Sequence, residues 1–283
     1  MAASLIDRIA EARDALVRAG IAPRDAAFDA DVLARHALGW DRAQLLSRNR
    51  EMPPGDFQPA FDRLIARRAA REPVALIMAR REFWGLDFEV SRDTLIPRPE
   101  TELIVEEALA EFARRPPGLI VDVGTGSGCL AVSLAREFPG ARVVATDISG
   151  EALRVAARNA ARHGVDDRVE FVRTTLLDGV GGAADLIVSN PPYVPAGAAP
   201  ALAPEIARHE PHVALFGGAD GLSVIRDLLA AAPLRLAPGG VLVVEFGLGQ
   251  EDDVRELAAV AGWRVVRVRR DLQDIARTIV LRR

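Results

Sequence analysis

The sequence is 283 residues long, 49% hydrophobic and 27% charged, which leaves room for one large domain and a small one, or for two of moderate size. None of its basic residues is lysine, which excludes Schiff-base enzymes, Walker-A nucleotidases, protein kinases and Tyr-Lys dehydrogenases, all of which use a lysine in the site. A net charge of −4 argues against a broad basic face for nucleic acid, and the single Cys129 excludes an internal disulfide and a multi-cysteine zinc site.

The N-terminal stretch alternates charges around an apolar stripe of Leu5, Ile6, Ile9, Ala12, Leu16 and Val17, which predicts a structural helix over residues 1–21 rather than a signal or transit peptide. A second helix is expected between Pro23 and Gly39, with proline in front and glycine behind. Two more are expected at Asp41–Arg48 and Asp56–Arg71, split by the Met52-Pro53-Pro54-Gly55 turn. Arg63, Arg67, Arg68 and Arg71 form a basic stripe, read as a solvated face in preference to a surface for an acidic or RNA-containing partner. No apolar run approaches the roughly 18 residues that span a bilayer, so no membrane association and a cytoplasmic location are expected.

The texture changes at about residue 82. Phe83–Val90 alternates like a strand, Ser91–Thr101 is a proline-punctuated loop, and a helix follows at Thr101–Phe112. Strands are then expected at Leu119–Val123, Arg142–Thr146, Val169–Arg173, Asp185–Ser189, Gly240–Phe246, Trp263–Val268 and Arg277–Leu281. Helices fit at Cys129–Phe138, Gly150–His163, Leu222–Leu236 and Gln250–Ala261, and residues 196–203 read as a mobile loop. This alternation predicts an α/β fold with a mainly parallel sheet covered on both faces, and ligands at the carboxyl ends of its strands.

Two motifs fall at such strand ends. The first is Asp122-Val123-Gly124-Thr125-Gly126-Ser127-Gly128, which closes a strand and opens a helix, so its backbone can approach a ligand closely. Its G-x-G-x-G spacing puts Cys129 where a dinucleotide fingerprint needs a third glycine. Asp147 ends the next strand and suits the two hydroxyls of a ribose. Together these features resemble the S-adenosylmethionine site of Rossmann-like methyltransferases. Asp122 either helps position the cofactor's amino group or caps the following helix.

The second motif is Asn190-Pro191-Pro192-Tyr193, which ends in the chain's only tyrosine. Asn190 offers a side-chain carbonyl, the two prolines remove two backbone donors, and Tyr193 offers an aromatic face. Because it precedes a proline, Asn190 is driven to an extended backbone that projects its side chain past the strand end. The set suits holding a flat –NH2 group still. His209 and His212 flank Glu210 and Pro211, but without a third ligand at sensible spacing no metal is expected.

Read together, the chain resembles the release factor glutamine methyltransferase family. The resemblance runs essentially end to end, through Phe83-Trp84-Gly85, Leu95 to Glu102, Asp122 to Gly128, Asn190 to Tyr193, Glu210-Pro211, Asp220-Gly221-Leu222 and Glu245-Phe246-Gly247 with Gln250. It implies an N-terminal helical domain over 1–80 for release factor recognition, a β-hairpin linker over 81–100, and a Rossmann-like catalytic domain over 101–283. It also implies methyl transfer from S-adenosyl-L-methionine to the side-chain amide of the glutamine in the Gly-Gly-Gln motif of release factors, without sequence-specific nucleic-acid binding.

The resemblance makes Gly124, Thr125, Gly126, Ser127, Gly128, Asp147, Leu176 and Asn190 the cofactor-binding set. Asn190, Pro191, Pro192 and Tyr193 become the catalytic, substrate-holding set. In it, the Asn190 side chain and the Pro191 carbonyl accept the amide N–H bonds while Tyr193 stacks on the amide plane. Arg98, Glu100 and Thr101 would shape the substrate mouth. The chain departs from the family at Thr174-Thr175-Leu176, where an acidic residue is usual, which implies an adenine pocket resting on apolar packing by Leu176. His209 likewise stands where an aromatic is commoner. The alternatives are a DNA or RNA amino-methyltransferase and a nicotinamide oxidoreductase; the missing third glycine counts against the latter.

Overall fold

The computed structural model describes residues 4–283, so the first three residues of the expected N-terminal helix lie outside it. The chain divides into two compact units, one of residues up to Arg80 together with Pro204–His209, the other of Arg81–Ala203 and Glu210–Arg283.

The first unit is helical: α1 (Leu5–Arg18), α2 (Pro23–Leu38), α3 (Arg42–Arg48), α4 (Phe57–Ala69) and a single turn, α5 (Val74–Ile77). Pro23 starts α2 and Gly39 ends it in the left-handed region, while Asp41 and Gln44 cap α3 reciprocally. Leu5, Leu16, Leu33, Phe57, Phe61 and Ile65 face one another in its core, with the Phe57 and Phe61 rings stacked at 4.9 Å. The arginine stripe is a solvated face only in part. Arg68 is buried and donates to Asp29 at 2.7 Å and to Glu205 at 3.0 Å; Arg71 pairs with Glu205 at 2.8 Å and Arg67 with Glu72 at 2.8 Å. Arg63 and Arg67 stay exposed on the helix surface, Arg67 with its guanidinium held by Glu72. Glu205 therefore neutralises two of these arginines, and its short helix groups with this unit although the sequence reading placed it within 101–283.

In the second unit, the run Phe83–Val90 is not one strand but a hairpin, β1 (Arg80–Phe83) and β2 (Leu86–Glu89). Trp84 and Gly85 both take positive φ, 53° and 67°, which is the two-residue turn that matches the natural twist of paired strands. After α6 (Glu102–Glu111) come β3 (Leu119–Val123), α7 (Cys129–Glu137), β4 (Arg142–Asp147), α8 (Gly150–Arg162), β5 (Val169–Arg173) and β6 (Ala184–Ser189). A 3-10 turn at Ala196–Ala201 occupies the stretch expected as a loop, followed by α9 (Pro204–His209). The chain ends with α10 (Ser223–Ala231), β7 (Leu236–Glu245), α11 (Glu251–Val260), β8 (Arg264–Arg270) and β9 (Ala276–Arg282).

The seven strands run in the order β5-β4-β3-β6-β7-β9-β8, parallel as far as β7, with β9 antiparallel to both β7 and β8. Neighbouring residues on a strand feed opposite cores: Ile120, Val143 and Val241 pack with Ile104 and Leu130, whereas Val121, Ile187 and Leu242 pack with Ile225 and Val254. The helix expected through Leu236 stops at Ala231 and tightens into a 3-10 turn, because Pro233 lacks the amide that would continue it. β7 begins earlier than expected and carries an irregularity between its pairings to Ala184 and Leu186, where Pro238 and Gly239 interrupt the ladder. The chain reverses direction in the sheet beside β3, which separates β4 from β6, so the carboxyl ends of β3, β4 and β6 open onto one crevice. Among the described residues no helix is long and apolar enough to cross a membrane.

Candidate active site

The loop after β3 turns through three left-handed glycines, Gly124, Gly126 and Gly128, at φ 72°, 55° and 81°. Gly124 and Thr125 donate their amides to the Thr146 carbonyl at 2.8 and 2.9 Å, which fastens the loop to β4. Asn159 on α8 donates to the Ser127 carbonyl at 2.8 Å and holds the far side. Asp122 is buried, and its Oδ2 accepts from the Thr125 hydroxyl at 2.6 Å and the Ala131 amide at 3.1 Å. Of the two readings open at the sequence level, the structure shows helix capping. Burial pushes its carboxyl up to about 7. Cys129 opens α7, and its thiol is pushed up to about 12 by burial and by the nearby Asp122, so it stays neutral.

Asp147 stands at the end of β4. Its Oδ2 accepts the Gly126 amide at 3.0 Å and its Oδ1 the Ser149 amide at 2.9 Å, so the carboxylate is fixed in place while each oxygen retains a further lone pair. Leu176 adopts φ 50°, rare for a leucine, with its carbonyl held by the Thr146 hydroxyl at 2.8 Å. These groups line one end of a cavity of 330 Å³ together with Thr125, Gly126, Ser127, Thr174 and Thr175. Free-facing loop backbone, an anchored acid and an apolar wall match the phosphate-free adenosine portion of S-adenosyl-L-methionine, with its ribose hydroxyls and flat base.

The other end of the same cavity is formed by Thr101, Asn190, Pro191 and Pro192. Ser189 ends β6 and donates to the Val123 carbonyl at 2.8 Å, which ties the two motifs together. Asn190 Nδ2 donates to Thr101 Oγ1 at 3.0 Å, while its Oδ1 is shielded from solvent and has no partner among the described residues. An unpaired buried acceptor costs about 1–3 kcal/mol, so this oxygen is a vacant place for a donor. The tetrapeptide is packed tightly from behind: a Cβ on Gly217 would come within 2.4 Å of the Pro192 carbonyl, and one on Gly221 within 2.4 Å of the Tyr193 carbonyl. Gln250 completes the support, donating to the Tyr193 carbonyl at 3.0 Å and accepting from the Gly247 amide at 2.7 Å.

Tyr193 is not among the residues that line the cavity. Its hydroxyl donates to Glu245 Oε1 at 3.3 Å, and a Cβ on Gly247 would lie 3.1 Å from its ring. Burial and the adjacent Glu245 hold its phenol well above the usual range. Arg98 and Glu100 are not among the lining residues either. Arg98 instead donates to Glu210 at 2.6 Å, and Glu210 also accepts the Ile96 amide at 3.2 Å, so this pair secures the segment that carries Thr94, Leu95 and Pro97 to the cavity. Thr101, read from the sequence as part of the mouth, is buried and donates to Glu245 Oε2 at 2.7 Å. The sequence reading gave Glu245 no role. Its signals were its place in the Glu245-Phe246-Gly247 run that carries the family resemblance and an acid closing the apolar run Val241 to Val244.

Comparison with known proteins agrees with this arrangement. A family model for the methyltransferase small domain matches residues 101–213, and one for the PrmC N-terminal domain matches residues 7–78. The release factor glutamine methyltransferase of Cereibacter sphaeroides is 44% identical over 276 residues, covering 98% of this chain and 97% of its own length. That of Rhodospirillum rubrum is 46% identical over 256 residues, covering 90% of this chain and 78% of its own. Among solved structures, a methyltransferase from Pyrococcus furiosus shares the fold with a TM-score of 0.54 at 22% identity, over 70% of this chain and 89% of that one. The hMettl16 catalytic domain does so with a TM-score of 0.58 at 16% identity, over 77% of this chain and 81% of that one. The chain therefore belongs to the release factor glutamine methyltransferase family and is an S-adenosyl-L-methionine-dependent protein glutamine methyltransferase.

Proposed function

We propose that this protein methylates the side-chain amide nitrogen of the glutamine in the Gly-Gly-Gln motif of peptide chain release factors. The observation that carries this reading is the buried, unpartnered Oδ1 of Asn190, a residue that lines the same cavity as the cofactor loop. A primary carboxamide brings two N–H donors, and Asn190 Oδ1 with the Pro191 carbonyl supplies two acceptors. Holding both hydrogens fixes the nitrogen's direction, which matters because its lone pair is delocalised into its own carbonyl. S-adenosyl-L-methionine supplies an electrophilic methyl group on a sulfonium. The contribution of the chain is orientation and electrostatic complementarity, without a covalent enzyme intermediate.

In this reading Gly124 to Gly128, Asp147 and Leu176 hold the cofactor, and Asn190, Pro191 and Pro192 hold the amide. Tyr193 fixes the tetrapeptide from behind, and Arg98 acts on the mouth through Glu210. The N-terminal helices are assigned to recognition of the release factor, supported by the match of residues 7–78 to the PrmC N-terminal domain and by the exposed Phe28 and Leu46 on them. The experiment is label transfer from methyl-labelled S-adenosyl-L-methionine to purified release factor, to the same factor with its Gly-Gly-Gln glutamine replaced, and to DNA. Label on the intact factor alone is the expected result. Label on DNA, or on the factor without its glutamine, would overturn the assignment.

A further inference from the structure

We propose that Glu245, acting through Thr101, is a positioning residue that sets which end of the Asn190 amide faces the substrate. The oxygen and nitrogen of an asparagine amide have nearly the same shape, so packing alone does not choose between them. Hydrogen bonding does. The Thr101 hydroxyl has one hydrogen, and it is spent on Glu245 Oε2 at 2.7 Å. Toward Asn190 it can then only accept, so Asn190 must present Nδ2 to it, at 3.0 Å, which leaves Oδ1 as the amide atom without a partner among the described residues. A charged carboxylate at the far end of this relay enforces that direction.

If Glu245 carried a proton or an amide in place of its charge, it could donate to Thr101 instead. The threonine hydrogen would then be free to turn toward Asn190, and the flipped asparagine, with its NH2 group in the place of Oδ1, would be equally satisfied. Two NH2 groups would face each other there, and the substrate amide would lose its acceptor. This deepens the reading above and rests on it only for the identity of the substrate.

Glu245 is buried at the end of β7, and burial raises its carboxyl to about 7. Glu100 adds to that rise. Thr101, Tyr193 and Arg277 oppose it. The neighbouring Cys129 thiol stays neutral through this range. The charged form therefore dominates above about pH 7, and the relay loses its direction as the pH falls below it.

The test uses the full-length enzyme with Glu245→Gln, Thr101→Val and Thr101→Ser. Glu245→Gln and Thr101→Val are expected to lower kcat by about tenfold or more, with S-adenosyl-L-methionine affinity and melting temperature little changed, whereas Thr101→Ser keeps the hydroxyl and restores the rate. The acid limb of the kcat profile near pH 7 should disappear in Glu245→Gln. In isotope-labelled protein without substrate, the Asn190 side-chain amide resonance should titrate near pH 7 in the wild type and not in Glu245→Gln. Wild-type kcat in both variants, or an Asn190 resonance indifferent to Glu245→Gln, would overturn the proposal. The resonance needs no methyl acceptor, so it stands apart from a failure to label release factor.

Discussion

Gly128 lies so close to Ala156 that a Cβ on the glycine would sit 3.0 Å from the alanine's Cβ and 3.1 Å from its Cα. The same glycine holds φ 81°, outside the range of most side chains. Gly128→Ala would therefore meet strain and a clash with helix backbone at once, a cost of about 1–3 kcal/mol. Because α8 cannot retreat without moving the cofactor loop, S-adenosyl-L-methionine affinity should fall about tenfold or more. Calorimetric titration and thermal unfolding of the variant check both.

Asp122 gives a pH prediction whose sign follows from its environment. Its carboxyl rises from an ordinary value near 3.8 to about 7 on folding, because burial disfavours the charge. A raised acid contributes stability that is present below the unfolded value and lost as the pH climbs through the folded one. Relative to wild type, Asp122→Asn should gain stability between about pH 4 and pH 7, reaching a few kcal/mol at the upper end. Denaturant unfolding at the two pH values measures the difference; a gap that shrinks as the pH rises would contradict the assignment.

Among the arginines of the N-terminal unit, Arg68 should matter most. Its side chain is 8% exposed and serves both Asp29 and Glu205, so Arg68→Ala takes the arginine from Asp29 and leaves Glu205 with Arg71 alone. A loss of roughly 3–5 kcal/mol is expected, whereas Arg63→Ala, on the exposed surface, should stay within about 0.5 kcal/mol. Chemical denaturation of the two variants separates them.

Much of the sheet was legible in the sequence because its strands are short apolar runs that each end at a turn signal. Val121 to Gly128 and Leu186 to Tyr193 were readable as sites for the same reason: glycine and proline restrict the backbone locally, so their meaning survives without tertiary context. The hairpin turn was less legible, since Trp84 adopts a left-handed conformation that only the pairing of its flanking strands sustains. The arginine stripe misled for a related reason. Helical spacing shows which side chains share a face, but Arg68 finds Asp29 and Glu205 from distant parts of the chain. Likewise, nothing near Glu245 in sequence points to Thr101 or Tyr193, which reach it only through the fold.

The central claim is that Asn190 Oδ1 orients the amide that receives the methyl group, and a single-turnover experiment tests it most directly. Enzyme saturated with methyl-labelled S-adenosyl-L-methionine is mixed with excess release factor, and transfer is timed for wild type and for Asn190→Ala. The expected result is a transfer rate about 100-fold or more lower in the variant, with cofactor affinity within about threefold of wild type. Equal transfer rates at equal cofactor occupancy would contradict the account.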